Sequence, residues 1–494
     1  MTLTPSSLIV LSLVLPLVVF VLIGLFGKLA NLRDGLTLIL SSVLFYVVCC
    51  LADGVFAGGR PELSLGDMLP GFSIAFSIEP LGMVFALVAS GLWIVTTVYA
   101  IGYMRSHREH HQTRFFACFA MAIFAALAAA FSANLFTLFV AYELMTISTY
   151  PLVTHHGTEK AKLGGRTYLG VLLFTSIAFF MMAIGWTWSV AHTLDFQLGG
   201  ILREACQSGE IQNWQLMLLL ALFAFGIGKA ALMPFHRWLP AAMVAPTPVS
   251  ALLHAVAVVK VGVFSVLKIA IYVFGIDLIR ETSISDWLAY TAGFTILLAS
   301  LVAMTKDNLK ARLAYSTVSQ LAYITLGAAL ATPASVMGSG MHIVMHAVGK
   351  ITLFFCAGAI YVATHKTDIS DMRGLGRAMP LTMGAFFIAS ISIIGLPPGG
   401  GAWSKWFLAL GTVETSHYFL LAVLMISSLL NIAYLLPIPI RSFMKPKTGE
   451  TLPFKEAPMM CVLPLCLTAI GTLVLFFVAD ALYLALLPIT EVVK

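Results

Sequence analysis

The chain has 494 residues, 60% of them hydrophobic and only 10% charged, against about 25% charged in an ordinary soluble domain. No soluble core of this length covers so much apolar surface without leaving large exposed patches, so a soluble globular fold is excluded. The net charge of +6 does not point to nucleic acid, because the basic residues sit in short segments between apolar stretches.

What remains is an all-α polytopic membrane protein. Bilayer-spanning helices need roughly 20 apolar residues. In chain order, spans are expected near 7–26, 35–52, 79–102, 115–131, 134–154, 167–191, 212–233, 246–274, 286–304, 312–331, 338–363, 380–410, 417–437 and 459–487. No Lys or Arg precedes Lys28, so the basic start of a cleaved leader is missing and the first helix is expected to be retained. The seven cysteines form no CxxC or metal-spaced set, and most lie in apolar spans, where Cys acts as a small hydrophobe.

Loop charge orients these spans. Odd-numbered loops hold Lys28, Arg33, Arg105, Arg108, Arg114, Lys160, Lys162, Arg166, Arg237, Lys306, Lys310, Arg312, Lys366, Arg373, Arg377, Arg441, Lys445, Lys447 and Lys455, which is 19 of the 28 Lys and Arg. Even-numbered loops hold only Arg60, Arg203 and Arg280. The positive-inside rule then puts the odd loops in the cytoplasm and both termini on the periplasmic side of a bacterial inner membrane.

Of the other cations, Lys494 is terminal and five lie inside spans: Lys229, Lys260, Lys268, Lys350 and Lys405. Glu143 stands in the apolar run 135–152. A charge at the bilayer centre costs at least about 2.5–3.5 kcal/mol, so such residues usually face a hydrated path or a partner charge. Lys268 lies near the end of its span and is expected to snorkel to the interface.

Helix breakers flank two of these lysines. Lys229 is followed by Pro234, Pro240, Pro246 and Pro248, and Lys405 is preceded by Gly395, Pro397, Pro398, Gly399, Gly400 and Gly401. Proline removes a donor and clashes with the preceding turn, and irregular backbone at membrane depth survives only where protein or water satisfies it. Two broken helices in corresponding positions suggest an internal duplication and an ion site. His342, His346 and Lys350, spaced i, i+4, i+8, share one helix face, and His254 precedes Lys260. Histidine relays protons near neutral pH. No acidic residue accompanies the histidine pair on its helix, so no metal site is expected. Burial disfavours an ammonium ion and a nearby carboxylate favours it. A Glu–Lys pair therefore holds or releases a proton according to its separation, and a row of Lys and His bridged by water passes protons along the membrane plane.

The run from Gly228 through Ala242, continuing from Ala245 through Ala255, resembles the signature of the antiporter-like subunits of respiratory complex I and of Mrp-type cation/proton antiporters. Asp307 through Gln320, His346 through Lys350, and Gly395-Leu396-Pro397-Pro398 with Lys405 are similar to further motifs of that family. The likeness covers roughly residues 79–437 and, in length and motifs, is nearest to the D-type subunits of Mrp antiporters. It implies two inverted five-helix repeats, each with one broken helix. The first occupies 111–280, with its break near 229–240, and the second 281–440, with its break near 395–405. Segment 1–110 holds three preceding helices, and 441–494 a loop and a last helix. By motif, Glu143, Lys229, Lys260 and Lys405 resemble the proton-translocating residues, and His254, His342, His346 and Lys350 the relay positions. Gly401-Ala402-Trp403 departs from the usual Gly-Phe. The chain stops at Lys494, short of the lateral helix of the largest complex I subunit.

The likeness implies a subunit without its own cofactor, working among other membrane subunits in a lipid bilayer. The transported ion is H+, with Na+ as the counter-ion in an antiporter. Two alternatives stand beside the antiporter: a proton-pumping subunit of a redox complex, either NADH:quinone oxidoreductase or a membrane-bound hydrogenase, and the membrane subunit of an inorganic-carbon uptake system. No GxGxxG follows a strand and no Cys cluster is present to hold an electron carrier.

Overall fold

The computed structural model describes residues 4–69, 71–445 and 453–490. Lys447 and Lys494 lie outside the described residues. Helices dominate: α1 (Pro5–Leu25), α2 (Ala30–Phe56), α3 (Pro80–Ser106), α4 (Gln112–Ala130), α5 (Leu135–Val153), α6 (Glu159–Ala191), α7 (Asn213–Gly226), α8 (Thr247–Phe274), α9 (Asp286–Thr305), α10 (Leu309–Leu330), α11 (Pro333–Thr364), α12 (Pro380–Ile394), α13 (Gly401–Glu414), α14 (Tyr418–Ser442), α15 (Met459–Phe477) and α16 (Ala479–Ile489). Twelve of the fourteen expected positions are filled by helices long and apolar enough to cross a bilayer. The other two, 212–233 and 380–410, are filled by interrupted helices. Gly, Pro and the residues around them end α7 at Gly226 and separate α12 from α13, so neither piece reaches spanning length alone.

The wholly helical reading missed one element. Between α2 and α3 the strands β1 (Glu62–Leu69) and β2 (Phe72–Ser77) form an antiparallel hairpin with irregular register. The hairpin is anchored at the start of α5, where the Asn134 side-chain amide donates to the Ser73 carbonyl at 3.1 Å and the Asn134 Oδ1 accepts from the Thr137 amide, capping the helix.

Loops of the same parity touch. On the odd-loop side, Arg105 pairs with Asp34, Arg114 donates to the His155 carbonyl, and Lys310 donates to the Ala245 carbonyl. On the even-loop side, the Phe196 amide donates to the Ala133 carbonyl and the Ser285 hydroxyl to the Ala329 carbonyl. The chain thus alternates between two faces. Arg33, taken for a loop residue, lies in the first turn of α2, buried against Asp34 at 2.7 Å.

The peripheral helices α1, α2, α6, α14 and α15 expose large apolar side chains such as Val21, Tyr46, Met182, Leu429 and Phe477. The central ones do not: α8 is buried along its whole apolar stretch, and α10 and α11 nearly so. The 32-residue helix α11 starts with Pro333 behind a capping box made by Thr332 and Ser335. It packs against α3, α8, α10, α12, α13 and α15. The elements with the most ionisable spans are therefore the ones most removed from lipid.

A buried row of ionisable side chains

Lys229 sits in the first interruption. After α7 the backbone makes one tight turn, Gly228–Ala230, and Ala231 takes a left-handed conformation. Neighbouring side chains satisfy the freed groups: the Trp238 indole donates to the Gly228 carbonyl at 2.9 Å, and the Lys229 amide donates to the Tyr142 hydroxyl at 3.0 Å. The Lys229 amine is fully buried, 2.8 Å from the Tyr142 carbonyl oxygen, 2.5 Å from Thr146 Oγ1 and 3.1 Å from the centre of the Tyr142 ring. Close helix approach makes this possible. A Cβ on Gly262 of α8 would lie 2.4 Å from the Lys229 carbonyl carbon and from the Ala230 nitrogen.

Glu143 follows Tyr142 on α5 and is half-buried, with Oε1 sheltered from solvent and without a hydrogen-bond partner among the described residues. Among the described residues it forms no ion pair within 4.0 Å. The carboxylate and Lys229 are brought to the same region and held apart.

Lys260 and His346 do meet. The amine on α8 lies 2.5 Å from Nδ1 on α11, and both residues are fully buried. His342, one turn before, places its Nδ1 2.9 Å from the Ser404 hydroxyl of α13, and its ring lies 5.7 Å from that of His346. Nε2 of both histidines has no partner among the described residues. Lys350 donates to Ser316 Oγ of α10 at 2.6 Å. The same oxygen takes a hydrogen bond from the Tyr434 hydroxyl at 2.9 Å, and Tyr434 also bonds Asn431. His254 lies in a widened turn of α8 (Leu252–Val256), its ring 4.8 Å from Phe354 and both nitrogens unpartnered among the described residues.

Lys405 occupies the second interruption, half-buried. Its stem lies across Gly395, where a Cβ would come within 2.6 Å of Cδ. Its amine donates to the Ile394 carbonyl at 3.0 Å, an acceptor that the end of α12 leaves free, and stands 4.7 Å from the Tyr323 ring. At the departure from the family pattern, the Gly401 amide donates to Ser392 Oγ and the Trp403 indole to the Phe476 carbonyl.

Lys268 corrects the sequence reading. It does not snorkel. Its amine is fully buried, 2.6 Å from Glu79 Oε1 and 2.7 Å from the Ser132 carbonyl oxygen. The physical reason is that a buried counter-charge was available from α3, distant in sequence. Reasoning from sequence also missed Tyr142, Thr146, Ser316, Tyr434 and the buried, unpartnered amide of Gln320. These are neutral groups without the rarity that flags a charge in an apolar span. Among the described residues no cluster of His, Cys, Asp and Glu is arranged to hold a metal ion.

The arrangement is a discontinuous series of buried and half-buried amines and imidazoles running from the turn after α7 to α13, with hydroxyls and carbonyls between them. Buried polar atoms without protein partners need water, and each group in the series holds or releases a single proton.

The family described as NADH:quinone oxidoreductase/Mrp antiporter, TM, matches residues 132–431, and the complex I chain 5 N-terminus family matches 67–116. The chain is 30% identical over 450 residues to the N-type subunit of NADH-quinone oxidoreductase from Desulforudis audaxviator, covering 88% of each chain. It is 27% identical over 482 residues to the D-type subunit of the Na(+)/H(+) antiporter from Alkalihalophilus pseudofirmus, covering 97% of this chain and 95% of that one. The fold superposes on a chain of the Mrp complex from Dietzia sp. DQ12-45-1b with a TM-score of 0.86 at 21% identity, covering 99% and 97% of the two chains. It also superposes on a chain of an archaeal membrane-bound sulfane sulfur reductase with a TM-score of 0.85 at 23% identity, covering 98% of each.

Proposed function

The chain belongs to the NADH:quinone oxidoreductase/Mrp antiporter family of membrane subunits, and from that membership we propose that it is the proton-translocating subunit of a multi-subunit cation/proton antiporter of the Mrp type, in the D-like position. Protons move along the row formed by Glu143, Lys229, Lys260, His346, His342 and Lys405, with His254 and Lys350 as side stations. The halves 111–280 and 281–440 serve as the two repeats.

One observation carries the reading: the 2.5 Å contact of Lys260 with His346. It joins the first half to the second through two fully buried groups, each able to bind and release a proton. Burying a cation beside an imidazole, with no carboxylate within 4.0 Å among the described residues, costs stability; a transfer path gives that placement a use.

The protein is a multi-pass membrane protein; on our reading its membrane is a bacterial inner membrane, and its loop charge favours both termini on the periplasmic side. Its neighbours are other membrane subunits, as in the multi-subunit assemblies to which its fold is similar. The test is cation-dependent collapse of a pH gradient in everted vesicles that carry the purified complex. Proton movement that requires an electron donor and quinone instead would favour the second reading, a pumping subunit of a redox complex. The 30% identity to an N-type NADH-quinone oxidoreductase subunit keeps that reading in view.

A further inference from the structure

Glu79 and Lys268 form an ion pair that the row above does not use. Lys268 is on α8, eight residues after Lys260, which is about 12 Å along the helix at 1.5 Å per residue. Its amine is enclosed by the Glu79 carboxylate, the Ser132 carbonyl and the Phe196 ring, whose centre is 4.6 Å away. Glu79 differs from its partner in one respect. Its side chain is 11% exposed, against 0% for Lys268. It forms part of the wall of a cavity of about 260 Å³ whose lining includes Arg60, Glu62, Ser77, Ser132 and Tyr272. That is far above the roughly 10–15 Å³ that one water needs. Its lining comes from the hairpin and Arg60 before it, the α4–α5 and α6–α7 loops, the end of α8 and Pro488 of α16, all on the even-loop face.

We propose that Glu79 and Lys268 form the port through which the buried row exchanges protons with the even-loop face; this rests on the proton-translocating reading above. In the outward direction the Lys268 ammonium gives a proton to the Glu79 carboxylate, leaving a neutral amine and a carboxylic acid. The acid releases that proton to water in the cavity and becomes a carboxylate again. The amine takes the next proton from the direction of Lys260. The reverse sequence brings protons in. Glu79 also sits at the N-terminus of α3, where the positive end of the helix dipole favours the carboxylate and resets it after each release.

A purely structural ion pair has a different signature. Removing one partner of a buried pair leaves an uncompensated charge, whereas removing both is close to neutral. The experiment therefore compares Glu79→Gln, Lys268→Met and the double variant in the assembled complex, by native gel and by proton transport in vesicles. The expected result is that the double variant assembles like wild type and stays at background transport, while Glu79→Asp keeps measurable transport. A double variant that assembles and transports at the wild-type rate would overturn the port. Should the double variant not assemble, Ser77→Cys on the cavity wall decides. A charged, membrane-impermeant thiol reagent applied to the even-loop face is expected to block transport beyond its effect on wild type, and full labelling with unchanged transport would equally overturn the port. Wild-type vesicles without proton movement would overturn the functional reading itself, which separates the two failures.

Discussion

Lys260 and His346 form a hydrogen bond between α8 and α11, with 2.5 Å between the amine and the ring nitrogen. Either group can be the donor, according to which holds the proton. Because they act as a unit, their losses should not multiply. Lys260→Arg and His346→Asn are each expected to slow transport about tenfold, equivalent to about 1.4 kcal/mol, and the double variant is expected to be no slower than the worse single one. Initial rates of pH-gradient collapse measure this, and a hundredfold loss in the double variant would show that the two act independently.

Lys229 is held by Thr146 and by the Tyr142 carbonyl rather than by a carboxylate. Hydrogen bonds to charged groups are worth about 1.5–3 kcal/mol. Thr146→Val is expected to lower transport by roughly tenfold or more, with Thr146→Ser close to wild type. Lys229→Ala and Glu143→Gln are expected to reach background in complexes that still assemble on native gels. Undiminished transport in Lys229→Ala would remove it from the row.

Gly262 is where α8 touches the broken segment. A methyl group there would press on the Lys229 and Ala230 backbone at 2.4 Å, so the backbone itself has to shift. Gly262→Ala is expected to destabilise the protein by about 1–3 kcal/mol, lowering the melting temperature of the detergent-solubilised complex and its transport together. Gly170→Ala, where nothing lies within 4 Å, is the control and should be neutral.

His155, just outside the odd-loop end of α5, supplies a pH test. Burial, reinforced by the Arg114 guanidinium, pulls it down to about 4 from its ordinary 6.5. The folded protein keeps it neutral while the unfolded chain takes up a proton, so its contribution to stability is complete above about 6.5 and is lost as the pH falls towards 4. His155→Gln should therefore lose less thermal stability than wild type between about pH 7.5 and about pH 5. An identical loss in both proteins would show that His155 does not carry the effect.

The sequence made the class of the molecule, the parity of its loops and both interruptions legible, because apolar length, basic loops and clustered Pro and Gly are local signals. Lys229, Lys260 and Lys350 stood out for the same reason: a charge in an apolar run is rare. Partnership was not legible. Glu143 and Lys229 each stood out alone, yet Tyr142 and Thr146 hold that amine, and the buried lysine that does meet a carboxylate is Lys268, paired with Glu79 189 positions before it. Helical periodicity fixes which residues share a face on one helix and says nothing about which faces of two distant helices are opposed. The hairpin after α2 was hidden by its irregular register, which blurs the alternation a strand would show.

Helix α11 runs unbroken for 32 residues and carries His342, His346 and Lys350 on one side. Their spacing along the axis is consequently set by the helix rise of about 1.5 Å per residue, which keeps their separations fixed. Lys229 and Lys405 are mounted instead on short segments whose backbones lean on side chains from elsewhere. On the proposed route, a change in spacing is then confined to those two interruptions, while the separations along α11 stay fixed.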